Sequence, residues 1–205
     1  PRYILSGSDG GWQVSRDAGK NWDVVNTFPF TQFYHINYDM QVPYRVCGGL
    51  QDNGNWCGPS NSLSGQGIRT DDWYTVSGGD GFFTVPVMDK PWLIYSDAQG
   101  GMLNITDTRS GVQKTIYPYP NRVGSVGDAM INHKYRFNWN SPIALSPLNP
   151  SVVYFRGNVL FKSANYGLKW DVISPDLTTN DPKKLGNSGG EIVMDNTAAE
   201  FHSTL

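Results

Sequence analysis

Four times along the chain a proline leads into a short apolar run, a glycine-bearing turn and a second apolar run. The openings read Pro1-Arg-Tyr-Ile-Leu-Ser-Gly, Pro43-Tyr-Arg-Val-Cys-Gly-Gly, Pro91-Trp-Leu-Ile-Tyr-Ser-Asp and Pro150-Ser-Val-Val-Tyr-Phe-Arg. Self-similarity at roughly 40–50 residues marks a propeller blade, a four-stranded sheet repeated about an axis. Each proline is followed by the second strand of a blade, at 2–6, 44–47, 92–95 and 152–155. Third strands are expected at 12–15, 55–57, 102–106 and 159–163, and fourth strands at 22–25, 73–76, 112–117 and 170–173. First strands of the following blades fall at 33–38, 82–87, 142–146 and 200–205. Alternation along these runs is imperfect, as expected of strands buried on both faces between neighbouring blades.

The pattern therefore predicts an all-β chain, a β-propeller of four-stranded antiparallel blades forming one domain over 1–205. Blade units are expected near 1–26, 33–76, 82–117 and 142–173, with a further blade beginning at 200–205. Three blades are whole, and the partial ones at the two ends are complementary. They would close a four-bladed ring or belong to a larger one. The long loops and ragged ends favour the larger ring, which makes the rest of a longer propeller chain a partner of this segment.

Composition supports the β reading. The chain carries 23 Gly and 13 Pro, suited to many tight turns, and 13% aromatic residues, suited to strands. Glutamate occurs only at 191 and 200, against sixteen aspartates; Asp belongs in turns and caps, Glu in helix interiors. With a formal charge of −2 and no Lys/Arg cluster, no nucleic-acid or anionic-membrane surface is expected. No apolar run approaches membrane-spanning length. Cys47 and Cys57 lie symmetrically about Asp52, opposite one another in a hairpin centred there. They would form a cross-strand disulfide in an oxidising compartment, or remain as two buried thiols inside a cell.

Two segments at matching positions after a third strand carry a local motif. The first is Ser15-Arg-Asp17-Ala-Gly19-Lys-Asn21-Trp22 and the second Ser163-Ala-Asn165-Tyr-Gly167-Leu-Lys169-Trp170. Both resemble the Asp-box (BNR repeat), Ser-x-Asp-x-Gly-x-Thr-Trp, of sialidase-like and related propellers, departing at Asn21 in one and at Asn165 and Lys169 in the other. The side-chain oxygen caps backbone N–H groups, Gly takes a positive φ and Trp packs back on the sheet. The role expected of Ser15, Asp17, Gly19, Trp22, Ser163, Asn165, Gly167 and Trp170 is structural. Further stretches, Gly7-Ser-Asp-Gly-Gly11, Gly49-Leu-Gln-Asp-Asn-Gly54, Gly78-Gly-Asp-Gly81, Tyr135-Arg-Phe-Asn-Trp-Asn-Ser-Pro142 and Ile173-Ser-Pro-Asp-Leu-Thr178, look like the large secreted Asp-box propellers. That group includes sortilin-type receptor ectodomains and xyloglucan-cleaving endoglucanases. The resemblance implies an extracytoplasmic (secreted, periplasmic or cell-surface) propeller, and by itself no activity.

In a propeller the 2–3 turns and 4–1 connections share one face. Here that face collects Ser8, Asp9, Gln51, Asp52, Asn53, Asp80, Gln99, Asn158, residues 32–35 with His35, and the long connections 118–140 and 175–199. As a binding surface for a protein or a glycan it would use Gln51, Asp52, Asn53 and His35, with Tyr135, Arg136 and Trp139 as anchors. As an inverting glycoside hydrolase acting on a β-glucan it would need two carboxylates, for which Asp80 and Asp9 are the candidates among Asp9, Asp52, Asp80, Asp128 and Glu191. Against that, Asp-Gly and Asp-Asn-Gly are ordinary turn chemistry. A sialidase is not expected: arginines are present at 45, 69, 122, 136 and 156, but no Arg-Ile-Pro element. The three histidines show no ligand spacing and no serine sits in a Gly-x-Ser-x-Gly elbow, so no metal, cofactor or serine-hydrolase site is expected.

Overall fold

The computed structural model describes residues 2–8, 11–25, 31–120, 129–186 and 204–205. The chain divides into two compact units, residues 1–32 and 33–205. The first unit is a three-stranded antiparallel sheet of β1 (Ile4–Ser8), β2 (Gly11–Ser15) and β3 (Asp23–Val25). The second holds three four-stranded antiparallel sheets. They are β4 (Ile36–Tyr38), β5 (Arg45–Leu50), β6 (Gly54–Pro59) and β7 (Tyr74–Ser77); β8 (Gly81–Val87), β9 (Lys90–Ala98), β10 (Met102–Asp107) and β11 (Val112–Thr115); and β12 (Ile143–Leu145), β13 (Val153–Arg156), β14 (Leu160–Ser163) and β15 (Asp171–Val172). Among the described residues every sheet is a meander whose strands pair only with their sequence neighbours. Among the described residues the chain is all-β, with helical structure limited to single 3₁₀ turns. These four-stranded meanders are propeller blades.

Several boundaries differ from the expected ones, and two strands run through a proline. Pro91 lies inside β9, which starts at Lys90, and Pro86 lies inside β8 at a register shift. A proline cannot donate to the ladder, so it is tolerated where the pairing is already irregular. The terminal strand expected at 200–205 lies outside the described residues except for its last two.

Neighbouring blades approach at glycines. A Cβ on Gly49 of β5 would stand 2.2 Å from the backbone of Gly81 and Phe82, and one on Gly81 would stand 2.2 Å from the Gly54 carbonyl oxygen. The seam is also polar inside. Buried Asn55 donates to Ser77 Oγ at 2.9 Å and to the Asp97 carbonyl at 3.0 Å, and accepts from Thr84 Oγ1 at 2.6 Å. Ser77 in turn donates to Ser96 Oγ at 2.8 Å. Between the last two blades the core is apolar, built from Tyr95, Leu103, Ile116, Val153, Phe155 and Phe161. The long connection before β12 inserts Phe137 into it, stacked on Phe155 and Phe161 at 5.6 and 5.8 Å.

Cys47 and Cys57 face each other across β5 and β6 and are joined by a disulfide, with Cα atoms 4.1 Å apart and both residues wholly buried. Replacing both by serine is expected to lower unfolding free energy by about 2–4 kcal/mol. Urea denaturation of the variant beside the oxidised protein measures this, and equal midpoints would refute it.

The two motif turns are the same object. In the first, Ser15 Oγ donates to Asp17 Oδ1 (3.0 Å) and accepts from Gly19 N (2.7 Å), while Asn21 N donates to Asp17 Oδ1 (2.9 Å). In the second, Ser163 Oγ donates to Asn165 Oδ1 (2.9 Å) and accepts from Gly167 N (2.9 Å), while Lys169 N donates to Asn165 Oδ1 (2.8 Å). Both place two successive residues in the left-handed region, Ala18–Gly19 and Tyr166–Gly167. The substitution of Asn for Asp is tolerated because the turn needs an accepting oxygen, not a charge.

Candidate functional site

Three loops meet at one end of the second and third sheets. The β5–β6 turn carries Gln51, Asp52 and Asn53, with Asp52 at φ 59° and Gly54 at φ 74°, the conformations that Asp-Asn-Gly accepts most readily. Gly54 N donates to the Gly79 carbonyl (2.9 Å) and Asp52 N to Asp80 Oδ1 (2.8 Å), tying this turn to the β7–β8 link. Asp80 N donates to Gln99 Oε1 (2.9 Å), tying that link to the β9–β10 turn. Gly100 N then donates to the Trp139 carbonyl (3.1 Å), bringing in the long connection.

On this platform Tyr34, Gln51, Asp52 and Asn53 are exposed, His35, Trp56, Gln99, Trp139 and Asn140 are half-buried, and Asp80 is buried. Tyr34 hydrogen-bonds Gln51 through its hydroxyl and packs its ring on Phe82, centroids 4.8 Å apart. Asn53 Nδ2 donates to the Gln51 carbonyl (2.9 Å), and Trp56 Nε1 donates to the Asn53 carbonyl. His35 lies flat on Phe83 at 3.9 Å, its Nε2 2.9 Å from Asn140 Nδ2. Burial lowers the His35 pKa. The exposed Asp52 carboxyl is raised, first by a hydrogen bond with the Asp80 side chain and then by that carboxyl's repulsion. The structure thus gathers Gln51, Asp52, Asn53, Asp80, His35 and Trp139 at one end, together with Tyr34, Gln99 and Asn140. Asp9, Asp128 and Glu191 lie outside the described residues.

Tyr135 and Arg136 lie beside the β13–β14 turn, and neither is a free anchor. Arg136 is buried, and its guanidinium pairs with Asp176, on which Asn158 Nδ2 also converges at 2.8 Å. Asn158 further accepts from Arg136 N (2.9 Å) and donates from its own N–H to the Arg136 carbonyl (2.8 Å). Tyr135 is held edge-on between Tyr119 and Phe161. These contacts clamp two long loops across one turn, and the Arg136 guanidinium pairs there with a half-buried carboxylate.

Burial pushes the Asp176 carboxyl up, but hydrogen bonds from Thr178, Asn158 and Arg136 outweigh it and hold the pKa at about 2. Its contribution to stability is complete above the unfolded value of about 3.9 and is lost as pH falls toward 2. Urea unfolding between pH 6 and pH 2 should therefore show a shallower acid limb for Asp176→Asn than for the parent; parallel limbs would refute the clamp.

Sequence reasoning missed Asp97. This residue of β9 is wholly buried, and desolvation raises its carboxyl well above the usual range despite N–H bonds from Phe83, Ser141 and its own backbone. Its Oδ1 accepts from Phe83 N, at the place where the β8–β9 register shifts between Gly81 and Thr84. A bulge frees an N–H from the ladder, and Asp97 caps it. Among the described residues no group of three His, Cys, Asp or Glu is placed to hold a metal ion, and no helix is long and apolar enough to cross a membrane.

No protein-family model and no curated protein matches the chain. Among solved structures it is similar to YCF48 bound to a D1 peptide, at 12% identity and TM-score 0.45 over 83% of this chain and 49% of that one. It is similar to the GH74 xyloglucanase from Xanthomonas campestris, at 19% identity and TM-score 0.46 over 85% of this chain and 28% of that one. It is also similar to an ancestral GH74 enzyme, at 14% identity and TM-score 0.49 over 85% of this chain and 22% of that one. The chain spans less than half the length of each of these proteins.

Proposed function

We propose that the chain is a segment of an extracytoplasmic Asp-box propeller of the sortilin-like and xyloglucanase-like kind. Its role is that of an interaction module, binding a protein or glycan through the 2–3 and 4–1 loop face. The observation that carries this reading is the platform of three mutually hydrogen-bonded loops. It presents Tyr34, Gln51, Asp52 and Asn53 to solvent on a backbone already held in place, and such preorganisation limits the entropy lost on binding. The buried disulfide supports an oxidising compartment, and the matched bonding of the two motif turns supports the Asp-box assignment.

The second reading is an inverting glycoside hydrolase acting on a β-glucan, with Asp80 as one carboxylate. Asp80 Oδ1 accepts from the Asp52 N–H at 2.8 Å, a turn-tying role that favours the binding module, whereas inversion needs Asp80 to face a second carboxyl roughly 6.5–9.5 Å away with a water between them.

Titration with β-glucan oligosaccharides and with a panel of extended peptides, followed by amide NMR shifts, tests both readings. Binding is expected to perturb residues 34, 51–53 and 56 and to weaken about tenfold or more in Tyr34→Ala or Asn53→Ala. Perturbation confined to the motif turns would sink the binding face. Hydrolysis of the glucan that Asp80→Asn abolishes would replace the module by the enzyme.

A further inference from the structure

The chain has one asparagine followed by glycine, Asn53-Gly54, and it lies in the β5–β6 turn on the loop face. Asparagine is a thermolabile side chain. It is least protected before glycine, whose nitrogen has no Cβ beside it to shield an attack on the asparagine amide. Here the reacting groups are in view, and each is engaged elsewhere. Asn53 is exposed, whereas Gly54 is buried. The Gly54 N–H, the nucleophile of such a reaction, donates to the Gly79 carbonyl at 2.9 Å. The Asn53 amide nitrogen, its leaving group, donates to the Gln51 carbonyl at 2.9 Å.

We propose that Asn53 is a self-modification site which the blade seam holds shut. When the turn parts from the β7–β8 link, solvent takes the Gly54 amide proton and Gly54 N attacks Asn53 Cγ. A C–N bond forms, the side-chain nitrogen takes up a proton and leaves as ammonia, and a five-membered imide results. Water then opens the ring at one carbonyl or the other. One water is consumed and one ammonia released, with no change of oxidation state, and position 53 becomes aspartate or isoaspartate.

The closed turn resists this because its N–H must first leave the Gly79 carbonyl. A second bond, from Asp52 N to Asp80 Oδ1 at 2.8 Å, fastens the same turn to the same link, so the turn opens only when both give way. The product has no route back to the original seat. Isoaspartate lengthens the backbone by a methylene, and even a Cβ on Gly54 would stand 2.4 Å from the Ser77 carbonyl oxygen. The new carboxylate also joins Asp52 and Asp80 at one turn, where like charges repel. Each opening therefore risks permanent damage to the loop face. None of this depends on what that face binds.

Peptide mass spectrometry of the intact chain, aged warm in mildly alkaline buffer, reads the conversion. In concentrated urea Asn53 is expected to convert faster than any other asparagine. In the folded chain it should convert about tenfold or more slowly than in urea, the factor one well-made hydrogen bond supplies. Low urea should raise Asn53 conversion and Gly54 amide hydrogen exchange in parallel, since both need the same opening. Asp80→Ala removes the tie from Asp52 N and should raise folded-state conversion several-fold; Asp80→Asn keeps an accepting oxygen there and should stay near the parent rate. If Asp80→Ala fails to fold, the urea series in the parent chain decides alone. Equal rates in the folded and unfolded chains would overturn the proposal. So would Gly54 exchange that rises with urea while Asn53 conversion stays flat.

Discussion

Alanine at Gly49 or Gly81 is expected to lower the melting temperature by roughly 6–12 °C, corresponding to about 3 kcal/mol. The reason is where the added methyl group lands. At both positions it would stand 2.2 Å from backbone atoms of the neighbouring blade or turn, and backbone cannot rotate aside as a side chain does. Relief requires the β5–β8 seam to open, which strips the buried Asn55 network of its partners. Gly65→Ala is the control, since a Cβ there meets nothing within 4 Å and should leave stability within about 0.5 kcal/mol. Thermal unfolding of the three variants followed by circular dichroism decides the matter. A Gly49→Ala protein that melts with the Gly65→Ala control would show that the blades are not in close backbone contact.

The second large effect is expected at Asn55. Its side chain bonds Ser77, Thr84 and the Asp97 carbonyl, so Asn55→Ala strands several buried groups at about 1–3 kcal/mol each. Partial rearrangement brings the expected loss to about 3 kcal/mol. Asn55→Asp distinguishes a missing bond from missing volume. The carboxyl has nearly the same shape but offers an acceptor to the Asp97 carbonyl, which also accepts. Burial and that opposed carbonyl raise its folded pKa, so the variant keeps more of its stability at low pH and loses it as pH rises. Chemical denaturation at pH 4 and pH 8 reads the difference. Equal stability at the two values would remove the hydrogen-bond account.

The blade pattern was legible in the sequence because proline and glycine punctuate it, and the pairing of Cys47 with Cys57 because both are equidistant from a turn at Asp52. The platform was legible in part for the same reason: Asp-Asn-Gly and Gly-Asp-Gly are turn sequences, and turns of one kind share a propeller face. Arg136 misled because Tyr-Arg-Phe-Asn-Trp reads as an exposed anchor. What buries it is Asp176, forty positions along the chain, and no local signal announces that pairing. Asp97 was silent for a related reason. In Tyr-Ser-Asp-Ala it looks like the polar end of a strand, and its task arises only where a register shift in β8 leaves an N–H to be capped. Periodicity reports which face a residue occupies; it does not report where pairing slips.

Because each of the described strands pairs only with the one before or after it, each sheet can close through short loops, and little loop entropy stands between the extended chain and a finished blade. The contacts between blades join residues far apart in sequence and can form only after the sheets that bear them. A chain built this way can assemble in order as it leaves the ribosome. Its seams, with their glycines and buried amide, then act mainly as brakes on unfolding, and damage there shortens the lifetime of the native state more than it slows its formation.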